Sequence, residues 1–248
     1  MKEKLRASFI HLLISTFVIT TFYFFIVNTW YPAPYFQVSG LVGILLLLVG
    51  IDLVLGPLLT FIVFKKNKPS LKLDLSVIAS IQIIALCYGI YTVYNGHPVY
   101  VAYAVDRFTL VTPEEVNPKD AKYKDLIVST FGKPKIVYAK LPDSPEERNK
   151  LLFSSAGGGK DIEHYAQYYE PIENYTDNIR QRSISVENLL VYPDAKKRIE
   201  AFLSDQNKLA SEFSFLPLLG RKKAMLWALD NTTGEPIAAL DIDPWEPR

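Results

Sequence analysis

The stretch LVGILLLLVGIDLVLGPLLTFIVF, residues 41–64, decides the fold. It runs for 24 residues with a single charged side chain, Asp52. About 20 apolar residues in a helix cross the ~30 Å hydrocarbon core of a bilayer, so the stretch predicts a transmembrane span. Two more runs resemble it in length. Residues 7–30 are broken only by His11, Asn28 and small hydroxyl side chains, and residues 73–94 form a third run. The apolar part of the first run is about twice a usual signal-peptide core, with no small-x-small site after it, so it reads as an uncleaved anchor. The chain therefore reads as a membrane protein: a three-helix transmembrane bundle over residues 1–97, then a soluble domain over 98–248.

Basic residues give the orientation. Lys2, Lys4 and Arg6 precede the first span, and Lys65, Lys66, Lys68 and Lys72 lie between the second and third. The connector YPAPYFQVSG, residues 31–40, carries no charge. Short loops rich in Lys and Arg stay in the cytoplasm, which predicts a cytoplasmic N-terminus and a soluble domain on the far side. Trp30, Tyr31, Tyr35, Phe36, Tyr91 and Tyr94 supply the aromatic belt expected at the outer boundary. Residues 1–94 carry a net charge of +4 and the remainder −3. The soluble part thus lacks the basic stripe of a nucleic-acid binder. The lone cysteine, Cys87, excludes an intramolecular disulfide and a Cys-based metal site.

Asp52 lies ~16–18 Å from either end of its span at 1.5 Å per residue, near the midplane, where a charged Asp costs about 2.5–3.5 kcal/mol. A carboxyl group there takes up a proton or finds donors. Matching by depth offers Thr20, Thr21 and Gln82, and pairs His11 with Thr60 or Ser76. Three roles stay open for Asp52: an interhelical knot, recognition of a partner helix, or a proton or ion relay. Gly43, Gly50 and Pro57 fall on one stripe of the second span, with Asp52 and Gly56 on nearly the opposite side. Pro57 predicts a kink.

Beyond residue 97 the period changes. Residues 98–105, 125–130 and 134–141 predict short strands. Thr112-Pro113-Glu114-Glu115 and Ser144-Pro145-Glu146-Glu147 carry helix-start grammar. A longer amphipathic helix is expected over 193–213, with Ile199, Phe202 and Leu203 inward. KAMLWALD, the turn NTTGE and PIAALDID predict a closing hairpin. Strands and helices without βαβ regularity favour an α+β domain.

Signs of catalysis are few. AGGGKD, residues 156–161, has Ser at the first glycine position of a phosphate loop and Asp after the lysine, so it reads as a surface loop. His164 sits near Asp161 and Glu163 without a second His or any Cys, a poor metal site. No G-x-S-x-G or H-E-x-x-H occurs. No catalytic, cofactor-binding or metal-binding residue is expected, and the chain does not read as an enzyme. Tyr165, Tyr168, Tyr169 and Tyr175 cluster in one segment; they pack on their own domain or offer an aromatic contact surface.

Several of these stretches together resemble the type IV pilin accessory protein family (TfpX/TfpZ) of Gram-negative bacteria. They are HLLIS (11–15), WYPAP (30–34), GIDLVLGPLLTFIVF (50–64), KKNKPSLKLDLSVIASIQIIALCYG (65–89), VDRF (105–108) and the terminal 215–245. The resemblance implies an inner-membrane protein with a periplasmic domain, acting beside a major type IV pilin in its stability, assembly or pilus dynamics. Other pilus-machine components and membrane lipid are further implied partners, and no catalytic residue is implied. The candidate intramembrane contact is Asp52 with Gly56 and Pro57, near Thr20, Thr21 and Gln82. The candidate periplasmic contact is the Tyr165–Tyr175 segment. An extracytoplasmic sensor or signalling subunit is the competing class, and it needs a membrane partner for output.

Overall fold

The computed structural model describes residues 1–246. Residues 247 and 248, the end of the expected 98–248 domain, lie outside the described residues. The chain forms two compact units, one of residues 1–32 and 41–96, the other of residues 33–40 and 97 onward.

The first unit contains three helices long and apolar enough to cross a membrane: Lys2–Asn28, Val42–Val63 and Leu71–Asn95. Most of their large apolar side chains face outward, as lipid-facing surfaces do. The inner face of the first helix is narrow, with Ser15, Ile19 and Ile26 buried. At one end Glu3 pairs with Lys66 at 2.8 Å, and Lys4 donates to the Ile62 carbonyl. At the other, the Tyr31 hydroxyl donates to the Val93 carbonyl at 2.9 Å and Trp30 packs edge-on against Tyr94. Leu48 of the second helix fills the space that Gly89 leaves on the third.

The irregularity expected at Pro57 takes a definite form. The second helix widens into a π-helical stretch, Gly50–Leu55, directly before Gly56 and Pro57. Proline lacks an N–H and crowds the carbonyl four residues back; a wider turn relieves both problems. Asp52 sits within that turn.

The second unit is built on a seven-stranded mixed sheet. Its strands are β1 (Tyr100–Ala104), β2 (Arg107–Val111), β3 (Lys135–Ala139), β4 (Tyr169–Pro171), β5 (Phe213–Leu219), β6 (Ala224–Asp230) and β7 (Pro236–Leu240). The order is β4-β3-β1-β2-β5-β6-β7, with β1–β3 and β2–β5 parallel and the other pairs antiparallel. Alternate side chains build a core on each face. Val101, Tyr103, Phe108, Leu218 and Trp227 face one way. Tyr100, Ala102 and Val137 face the other, as do Phe213 and Phe215, which pack under Ile199 and Phe202 of the helix Pro193–Gln206. Residues 33–40 cover part of the first face. Tyr35 packs edge-on against Trp227, Val38 is fully buried, and Gly220 leaves room for the Val38 backbone.

Three local expectations need correction. Residues 125–130 form no strand: the segment makes a turn of 3-10 helix at Lys124–Leu126, where Leu126 is buried against the sheet and its carbonyl accepts from the Tyr100 hydroxyl. Thr112–Glu115 forms only a turn, although the Glu115 carboxylate accepts from both the Thr112 N–H and its hydroxyl. Pro118 follows closely and disfavours helix at the residue before it. The helix expected over 193–213 ends at Gln206, capped by Asn207 in the left-handed region at φ 51°. Asn tolerates that conformation, and the chain then turns into β5. Strands β2, β4 and β5 are additions to the expected set. Pro217 argues against a strand, but β5 meets β2 only at Leu218 and Leu219, so residues 213–217 form an edge there. Ser183 and Ile184 hydrogen-bond Phe215 along that edge.

Candidate functional site: a polar cluster in the three-helix unit

Apolar helices leave few polar groups to satisfy, so the ones present stand out. On the first helix, Ser8, His11 and Ser15 recur at the 3.6-residue period that places them on one face. His11 Nε2 lies 2.8 Å from Gln82 Oε1 of the third helix, and Nδ1 lies 2.6 Å from Thr60 Oγ1 of the second. The tautomer carrying its proton on Nε2 donates to Gln82 and accepts from Thr60, which satisfies both nitrogens. Gln82 in turn donates from Nε2 to the Asp52 backbone carbonyl at 3.5 Å. One histidine and one glutamine thus link all three helices.

Gly56 makes this possible. A Cβ there would fall on the Gln82 amide and crowd His11. Pro57 is buried beside it, and its carbonyl accepts from the Ser8 hydroxyl at 2.8 Å. Gly56 and Pro57 are therefore internal, while Gly43 and Gly50 face open space. Asp52 is only 5% exposed, yet it lines a groove of 530 Å³ between the first and third helices. His11, Ser15, Thr60 and Gln82 share its floor. Among the described residues, Gln82 is the side chain that hydrogen-bonds to Asp52, at its backbone carbonyl. Thr20 and Thr21 do not join the cluster. Both are exposed, and Thr21 donates to the Phe17 carbonyl of its own helix.

The tyrosine segment divides between the two faces of the sheet. Tyr169 is fully buried, packs edge-on against Tyr100 at 4.8 Å, and donates to the Glu163 carbonyl. Burial pushes the Tyr100 phenol up to about 12. Tyr165 and Tyr168 are half-buried and meet edge-to-face at 6.3 Å. Tyr175 goes to the opposite face and stacks on Tyr138 at 3.9 Å, which stacks in turn on Tyr103 at 5.7 Å. A 920 Å³ cleft opens on that face, lined by Ile136, Ile172 and Leu229 together with polar side chains of both charges. No group of three or more His, Cys, Asp or Glu suited to a metal occurs among the described residues.

Known proteins similar to this chain share one description. The family model for the fimbrial assembly protein FimB matches residues 1–40, the first helix and the segment after it. A fimbrial assembly protein of Dichelobacter nodosus, serogroups C1 and C2, is 34% identical over 113 residues, which cover 86% of that protein and 45% of this chain. The chain belongs to the fimbrial assembly protein family. Its likeness to one other member extends further along the chain. The D. nodosus fimbrial assembly protein of serogroup I is 25% identical over 250 residues, 97% of this chain and 96% of that one. That of serogroup E1 is 34% identical over 113 residues, or 44% of its length. No solved structure matches the chain.

Proposed function

We propose that this chain is a non-enzymatic accessory protein of fimbrial assembly, held in the bacterial inner membrane by three helices. Its α+β domain lies in the periplasm, where the protein acts beside a cognate type IV pilin and supports pilin stability, assembly or pilus dynamics. The observation that carries the reading is family membership, with a likeness to a fimbrial assembly protein over nearly the whole chain. The narrower likeness to type IV pilin accessory proteins supports the choice of client.

Two structural features support the topology. The Glu3–Lys66 pair puts the basic N-terminus and the basic 65–72 connector at one end of the three-helix unit. Residues 33–40 pack within the same unit as the domain that follows residue 96, which supports a reading with the uncharged connector and the domain on one side of the membrane. Within this reading the intramembrane contact is made at Asp52, since Gly56 and Pro57 are taken up internally. The periplasmic contact involves Tyr175 on its stack, since Tyr169 is buried.

Affinity purification of the full chain from solubilised membranes tests the role. The major pilin is expected in the purified complex, and deletion of the protein is expected to reduce surface pili. Pilin absent from the complex, together with unchanged piliation in the deletion strain, contradicts it.

A further inference from the structure

Two kinds of polar group line the groove floor, and their bonding separates them. His11 is engaged at both ring nitrogens, by Thr60 and Gln82, and Gly56 is the space those side chains occupy. These hold the unit together. Asp52 and Ser15 are different. Both are more than nine-tenths buried and both line the groove. The Asp52 carboxyl offers about four acceptor positions, and the Gln82 amide beside it donates to the Asp52 backbone carbonyl at 3.5 Å. The Ser15 hydroxyl makes no hydrogen bond among the described residues. The walls above them are apolar, with Ile10, Ile14 and Val18 on the first helix and Ala79, Ile83 and Leu86 on the third. They recur every four residues on the first helix and at four- and three-residue spacing on the third, the geometry into which the ridge of another helix packs.

We propose that this groove receives one transmembrane helix of a partner protein, and that this helix presents a hydrogen-bond donor to Asp52 and Ser15. A lipid tail fits the walls but brings no donor to the floor, and an unpaired buried acceptor in hydrocarbon is costly. A helix with one donor at that depth meets both demands. The inference deepens the proposed role, which supplies the owner of the helix: a membrane-held fimbrial subunit.

Photocrosslinking in cells that make pili tests it, with benzoylphenylalanine placed in the full-length protein. Ile14 and Ile83 on the groove walls are each 60% exposed, and Leu46 on the second helix serves as an off-groove control. Adducts with a single membrane-protein partner are expected from Ile14 and Ile83 and not from Leu46. Asp52→Ala is expected to lower their yield about three- to fifteenfold, the equivalent of one interhelical hydrogen bond. Asp52→Asn, which still accepts, should retain more. Ser15→Leu fills the floor while leaving the Asp52 side chain in place, and is expected to abolish the adducts at an unchanged membrane level. Should Asp52→Ala fail to accumulate, this second variant decides.

Adducts with lipid alone, equal adducts from Leu46, or a yield indifferent to both variants overturn the inference. Co-purification of pilin is scored in parallel. Pilin retained without groove adducts sinks the groove and leaves the role standing. Groove adducts to a membrane helix in a complex free of fimbrial subunits support the groove and remove the role.

Discussion

With Thr60 on one ring nitrogen and Gln82 on the other, His11 joins the second and third helices to the first. Interhelical hydrogen bonds in membranes contribute about 0.6 kcal/mol on average and up to about 1.7 kcal/mol. His11→Leu is expected to lower the stability of the three-helix unit by about 1–2 kcal/mol, measured by reversible unfolding in bicelles. A double-mutant cycle with Thr60→Val should show the two losses to be non-additive; strict additivity would mean that the pair is not a link. Part of this cluster was legible in the sequence, because depth pairs His11 with Thr60 or Ser76, and Thr60 is the one it meets. Depth does not give direction around the helix. Thr20 and Thr21 lie 100° and 200° round from buried Ile19 at 100° per residue, and so face outward. The recurrence of Ser8, His11 and Ser15 on one face was the signal available for the inner side. In the domain, Asp230 accepts from Lys208 at 2.8 Å and from the Thr232 and Thr233 N–H groups, which hold its carboxyl down at about 2 against an ordinary 3.8. A carboxylate lowered by folding stabilises above its unfolded value, and that contribution is lost as pH falls toward the folded one. The stability advantage of wild type over Asp230→Ala should therefore be constant above about pH 5 and shrink between about pH 4 and 2, followed by thermal melts. An advantage that grows on acidification contradicts the assignment.

At the scale of elements, the π-helical turn and the packing of residues 33–40 carry most of the information. The turn follows from Pro57, and a proline in an apolar helix announces some irregularity. Its kind was not legible, since a kink and a widened turn relieve the same clash. Residues 31–40 read as an uncharged connector because their apolar side chains, Tyr35 and Val38, are too few to show a period. Their partners, Trp227 and the Gly220 turn, lie about 180 residues away in sequence. Gly220→Ala places a methyl group against the Val38 carbonyl. Such overpacking costs typically 1–3 kcal/mol, so the variant should unfold at lower denaturant concentration by about that amount. It should also make residues 33–40 cleavable by protease before the sheet is. Stability equal to wild type would show that the segment is not held at Gly220. Strands β1 and β3 were legible from their β-branched and aromatic runs. Residues 125–130 show the same run without becoming a strand, because Leu126 is held by Tyr100 and the sheet core, contacts that no local pattern reveals.

For the whole molecule, the division into an apolar three-helix unit and an α+β unit follows directly from hydropathy, which needs no long-range information. The proposed membrane arrangement draws on the basic flanks, the Glu3–Lys66 pair and the shared unit of residues 33–40 and 97 onward. The accessory role depends on that arrangement, because a domain on the cytoplasmic side would never meet a fimbrial subunit's periplasmic part. Labelling with a membrane-impermeant thiol reagent tests it most directly. In a Cys87→Ser background, one variant carries Asp143→Cys, an exposed domain position, and another Lys65→Cys in the basic connector. In cells with a permeabilised outer membrane, the account predicts labelling at position 143 and none at position 65 until the cells are lysed. Labelling at 65 with 143 protected would contradict it.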